Sequence, residues 1–134
     1  MNKYKLMINA KSGRILINWM AVITYCSVIW ILSSTRSSIP IPTFNQSDKL
    51  MHFGAFVVLA VLFWRAFAIS VKAIKNPGLI ILTLLSSVVF GAMIEVHQRF
   101  LPHRRAEAMD LVADILGCGI GILICLIFLR KKKV

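Results

Sequence analysis

Acidic residues are scarce in this chain: five Asp and Glu stand against sixteen Lys and Arg in 134 residues. Cysteine is scarce as well. Cys26, Cys118 and Cys125 are the full set, and no two make a C-x-x-C pair. That removes the usual sequence sign of a redox dithiol or a structural zinc site. Their expected role is packing, as small apolar side chains. No internal repeat and no low-complexity tract occurs. Charge is scarcest inside four long apolar runs, approximately 15–34, 50–69, 78–98 and 111–129, none of which carries a charge near its middle.

Those runs dominate what is present. The chain is 58% hydrophobic with a mean hydropathy of +0.79, well above the roughly 45–50% apolar content of soluble domains. A membrane-spanning helix needs about 20 apolar residues, and each run supplies them. The length suits one domain. The expected fold is all-α: a polytopic membrane protein, a compact bundle of four transmembrane helices joined by short links. The basic segment Met1–Arg14 before the first run resembles the start of a signal peptide. That run is too long for one, and no small-x-small cleavage site follows, so it is expected to remain as an uncleaved anchor.

The net charge of +11 raises the question of nucleic acid, and its distribution answers against it. Lys3, Lys5, Lys11, Arg14, Arg65, Lys72, Lys75 and Arg130–Lys133 fall on one side of the expected membrane, with no acid among them. Arg36, Lys49, Arg99, Arg104 and Arg105 fall on the other, with all five acids. By the positive-inside rule both termini are expected in the cytoplasm. The basic flanks suit anionic lipid headgroups, so membrane lipids are expected partners and nucleic acid is not. Trp19 and Trp64 are expected toward the cytoplasmic interface and Trp30 toward the outer one.

The links carry breakers. Ile39-Pro40-Ile41-Pro42 favours an extended course. Asn76-Pro77-Gly78 reads as a turn, and Leu101-Pro102-His103 ends the third run.

Topology then collects the polar residues at the outer ends of the spans. Asp48 and His52 are four apart at the start of span two, so they share a helix face. Glu95 and Gln98 lie near the end of span three, and Asp110 and Asp114 open span four. Small residues continue two of these faces inward: Ser87-Gly91-Glu95 on span three, and Asp110-Asp114-Gly117 with Cys118 and Gly121 on span four. Gly117-x-x-x-Gly121 is a pattern that lets helices approach closely. A carboxylate in hydrocarbon must be paired or neutralised, so the acids are expected to face a pocket between helices. Asp48 and Asp110 alone also suit helix N-caps. Glu95 does not, because the dipole at a helix C-terminus disfavours an acid. Arg99 or Arg104 is its expected partner. A purely structural ion-pair network is the alternative reading of the whole set.

At this point the order of motifs resembles that of the VanZ-like family of small bacterial membrane proteins. Asp48-Lys49-Leu50-Met51-His52, Glu95-Val96-His97-Gln98, Pro102-His103-Arg104 and Asp110 with Asp114 and Gly117 carry the resemblance, together with the Ser33-Ser34 ending of span one. It covers most of the chain from Ser33 to Gly121 and implies one transmembrane domain over 1–134. Many members carry Asn where Asp114 stands. The resemblance implies an envelope role, linked by the family's name to teicoplanin resistance, and a multi-pass place in a bacterial cytoplasmic membrane.

Three functions are expected in descending order. The first is an outward pocket acting on a lipid-linked or cell-wall-related ligand. Arg36 and Arg104 would bind its phosphate or carboxylate, with Asp48, Gln98 and Asp114 beside them. His52, Glu95 and Asp110 would supply acid–base chemistry. The second is a binding module without turnover, partnered by a ligand, another envelope protein or a second copy. The third is a small transporter, which needs polar groups at the bilayer midplane; Thr24, Tyr25, Thr83, Ser86 and Ser87 are all that lie there. His52, Glu95 and Asp110 carry ligand types that a divalent metal takes. No H-E-x-x-H or comparable spacing occurs within one helix, so no metal and no cofactor is expected.

Overall fold

The computed structural model describes residues 3–35, 47–71, 74–102 and 107–128, with side chains described for all of these but 3–8 and 47–48. Four helices make up the described chain: α1 (Lys3–Ser34), α2 (Ser47–Ser70), α3 (Asn76–Gln98) and α4 (Ala108–Phe128). Each holds a segment long and apolar enough to cross a membrane: Asn9–Ser34, Lys49–Ser70, Asn76–Gln98 and Ala108–Phe128. All four expected spans are thus helices, and all four start earlier than hydropathy suggests.

Two early starts have a physical cause. The turn expected at Asn76-Pro77-Gly78 is the opening of α3 instead, with Lys75 as the cap and Pro77 in the first turn. Proline suits that place because its missing N–H has no partner there anyway. Likewise Asp110 is not the cap of α4. It sits inside the first turn, and its N–H bonds to the Glu107 carbonyl at 2.9 Å. A carboxylate there still meets the positive end of the helix dipole.

Packing centres on α2, which touches α1, α3 and α4. Its contact with α4 is the largest in the fold, and glycine explains why. A Cβ on Gly117 would collide with the Phe53 carbonyl oxygen, and one on Gly121 would lie 2.8 Å from the Ala60 Cβ. The two glycines therefore let the α2 and α4 backbones meet directly. The buried stripe of α4 runs Asp110, Ala113, Asp114, Gly117, Cys118, Gly121, Ile122 and Cys125. That of α3 runs through Thr83, Ser87, Gly91, Glu95 and Gln98. Both have helical spacing, and both bear out the small-residue seams read from the sequence.

Two apolar clusters fill the interior. One joins Val22, Phe56, Leu59, Phe63, Ala66 and Ile94; the other joins Ala60, Trp64, Leu79, Cys118, Ile122 and Cys125. All three cysteines are free thiols and two are buried in the second cluster or beside it. Trp64 departs from the expected interfacial belt. It is 4% exposed and belongs to this interior cluster. Helix α1 packs along α2 in the opposite direction, since Trp19 Nε1 donates to Ser70 Oγ at 2.9 Å and Tyr25 Oη donates to the Ala55 carbonyl at 3.2 Å. Leu16, Ile17, Ile81, Leu85, Leu116 and Ile127 point outward, as apolar residues facing lipid would.

Candidate functional site

The polar residues meet where the start of α2, the end of α3 and the start of α4 come together. His52 lies in the second turn of α2. Its Nδ1 stands 3.0 Å from Asp114 Oδ1. The glycine seam dictates this pairing. Gly117 rests against the carbonyl of Phe53, the residue after His52, and Asp114 lies one turn above Gly117 on the same face. An ionised Asp114 can only accept, and with it a neutral His52 carries its proton on Nδ1 and a lone pair on Nε2.

Gly91 on α3 makes room for that carboxylate. A Cβ at Gly91 would lie 2.7 Å from Asp114 Oδ2 and 3.3 Å from the Phe56 ring. One turn further along α3 comes Glu95. One ligand atom each from His52, Glu95 and Asp110 lie within 4.8 Å of one another. Glu95 and Asp110 are each 7% exposed and Asp114 is 1% exposed. Four ionisable side chains from three helices thus share one buried volume, and three of them are acids.

Of the two expected partners of Glu95, Arg99 is corrected by this arrangement. Arg99 caps the C-terminus of α3 and is exposed. Among the described residues the salt bridges are Lys49–Glu107 and His52–Asp114, so Arg99 does not neutralise Glu95. Neither buried Glu95 oxygen has a hydrogen-bond partner in full bonding geometry, and the Glu107 backbone faces the carboxylate as a weak donor. Arg36 and Arg104 lie outside the described residues, and so does the side chain of Asp48.

Gln98 is buried, and its Nε2 donates to the Ser33 carbonyl at 3.2 Å. It satisfies an open carbonyl in the last turn of α1. Beside it, His97 packs on Trp30 with ring centroids 4.5 Å apart, and its Nδ1 is 3.4 Å from Ser34 Oγ. Glu-x-x-Gln therefore splits its work: Glu95 turns to the cluster while Gln98 ties α3 to α1. An apolar cleft of about 270 Å³, lined by Cys26, Ser27, Trp30, Ile31 and Phe90, holds none of the clustered residues.

Lys49 Nζ and Glu107 Oε2, 2.8 Å apart, brace the rim of the site by joining the start of α2 to the segment before α4. Both side chains are substantially exposed, at 31% and 52%. Exposed pairs of this kind contribute about 0–1 kcal/mol. Lys49→Ala is therefore expected to shift thermal unfolding by no more than a few degrees, read by a melting curve in detergent.

Sequence reasoning collected His52, Glu95, Asp110 and Asp114 by helix spacing, and the structure brings these four together. It did not single out the direct His52–Asp114 pair. Nor did it give Gly91 its specific duty of admitting Asp114. The available signal was the small residue one turn before Glu95, facing an acid pair spaced by four.

Four helices long and apolar enough to cross a membrane, with a buried acid–histidine cluster where three of them meet, define a multi-pass membrane protein. The chain belongs to the VanZ/LLP1 family, whose pattern it matches over residues 5–129. It is 30% identical over 106 residues to an uncharacterized protein of Schizosaccharomyces pombe, covering 78% of this chain. The match takes in 62% of that relative's length, so this chain spans less than two thirds of it. The relative is fungal, so family membership by itself does not carry the bacterial origin that the resemblance implies. No solved structure matches the chain.

Proposed function

We propose that the cluster of His52, Glu95, Asp110 and Asp114 is the working site of a cell-envelope protein that binds or acts on a lipid-linked or cell-wall-related ligand. The observation that carries this reading is Glu95. Its two carboxylate oxygens are buried without a partner in full bonding geometry among the described residues. Leaving such a group unsatisfied costs about 1–3 kcal/mol or more, and a structural network would have paired it. The arrangement suits a site kept ready for a ligand.

On this reading the cluster opens toward the outer surface of a cytoplasmic membrane with both termini inside, as the one-sided basic flanks favour. Arg36 and Arg104, near the cluster ends in sequence, would hold a phosphate or carboxylate of the ligand. His52, oriented by Asp114, would exchange a proton with it, and Glu95 or Asp110 would supply the second acid–base group.

The family's link to teicoplanin supplies the test. Expressed in a teicoplanin-sensitive bacterium, the wild-type protein is expected to raise the inhibitory concentration. His52→Ala and Glu95→Gln are expected to lose most of that protection while inserting into the membrane at the same level. Absence of protection by the wild type, or full protection by both variants, overturns the reading. Mass spectrometry of lipid-linked cell-wall precursors incubated with purified protein separates turnover from binding alone: an altered precursor marks an enzyme, and stoichiometric retention of an unaltered one marks a binder.

A further inference from the structure

The cluster is rich in acids. Glu95, Asp110 and Asp114 bring three carboxyl groups into one buried volume beside His52. Lys49 is engaged with Glu107 at the rim, and Arg99 points to the exterior. Like charges held this close at low dielectric repel strongly. A cation shared between them relieves that repulsion.

We propose that His52, Glu95 and Asp110 bind a divalent metal ion of the zinc or manganese type, with Asp114 orienting His52 from behind. One imidazole nitrogen and two carboxylates are ligand types that such ions accept. Their ligand atoms already lie within 4.8 Å of one another. Ligands around a tetrahedral ion with bonds of about 2.1 Å sit about 3.5 Å apart, so closing on the ion needs side-chain movements on the order of an ångström. The independent sign is again Glu95, more than nine-tenths buried, with neither oxygen bonded and one offered to the cluster.

The His52–Asp114 pair completes the design. A metal-bound imidazole ligates through one nitrogen and donates from the other, usually to a carboxylate that fixes its orientation. Asp114 occupies that place on Nδ1 at 3.0 Å. It is a positioning residue, and Gly91 keeps the space it needs. Three protein ligands leave at least one position on the ion open, as in catalytic rather than structural sites. A phosphate or carboxylate oxygen would fill it.

This inference deepens the proposed function by naming how the same cluster meets an anionic ligand. It rests on reading the cluster as a site, though not on turnover or on teicoplanin. The full-length protein, purified in detergent, stripped with chelator and dialysed, is titrated with Zn²⁺ and with Mn²⁺. One ion per chain is expected by elemental analysis. Asp114→Asn is expected to weaken binding about 10–100-fold, and Glu95→Gln or His52→Gln to weaken it further. Cys118→Ser, outside the three-ligand set, is expected to bind as the wild type does. Bound Mn²⁺ should show electron–nuclear coupling to one imidazole nitrogen, lost in His52→Gln.

Uptake far below one ion per chain, or bound manganese without nitrogen coupling in the wild type, overturns the inference even if every variant fails to fold. Stoichiometric, His52-dependent metal in a protein that gives no antibiotic protection would keep the metal site and remove the proposed function. Protection without metal would do the reverse.

Discussion

Gly117→Ala is expected to lower the stability of the bundle by more than any other single methyl added to its glycines. The new Cβ would meet the Phe53 carbonyl oxygen, with the Phe53 carbonyl carbon at 3.0 Å and its Cα at 3.2 Å. All three are backbone atoms inside a helix, so no rotamer change makes room. Relief requires α2 and α4 to separate along the largest contact in the fold. Overpacking of this kind costs about 1–3 kcal/mol and sometimes more. In a membrane the penalty is not softened by a hydrophobic drive between helices, because close packing is itself the main source of association. Gly119 is the internal control. Nothing lies within 4 Å of a Cβ there, and alanine improves helix propensity by up to about 1 kcal/mol. Melting curves in one detergent should therefore place Gly117→Ala well below the wild type and Gly119→Ala level with it or above. The same variant should loosen the His52–Asp114 pair one turn away, so its metal uptake should fall with its stability. Equal melting of the two alanine variants would show that the seam does not set the α2–α4 distance.

How far the sequence foretells this geometry follows from what each signal depends on. Hydropathy depends only on local composition, and the four spans are helices where it places them. Small residues at intervals of four depend on helical periodicity alone. Gly117 and Gly121, and Ser87 and Gly91, are buried on the faces that spacing assigns. Pairings between helices depend on rotation and depth, which periodicity leaves free by about a residue. That is why Arg99, four residues on from Glu95, is as good a partner as Arg104 by spacing, while the structure turns Arg99 outward. It is also why spacing groups His52 with Glu95 and Asp110, as the structure does, without showing that Asp114 makes the direct contact. Asp110 and Asp114 lie on one face, and only the Gly117–Phe53 contact decides which of them stands opposite His52. Trp64 shows the same limit: position along the chain suggests its depth, while its burial among helices follows from α2 having three neighbours. The cluster's composition was thus legible and its internal wiring was not.

Glu95→Gln separates a working site from a structural ion network by the sign of its effect on stability. In chelator Glu95 is a buried acid in an acid-rich cluster, with neither oxygen in bonding geometry among the described residues. The amide is nearly the same size, removes one negative charge and brings two donors into a volume rich in acceptors. The variant is therefore expected to unfold at a higher temperature than the wild type, by a stabilisation of about 0.5–2 kcal/mol. A structural network predicts the opposite, since removing one partner of a buried charge pair costs about 3–5 kcal/mol. Adding Zn²⁺ or Mn²⁺ should then reverse the order. The wild type gains about 2.7 kcal/mol at a metal concentration one hundred times its Kd, while Glu95→Gln gains little. A crossing of the two melting temperatures between chelator and metal is the expected result. A variant less stable than the wild type in both conditions would return Glu95 to the architecture of the bundle and leave the cluster without a vacancy for any ligand.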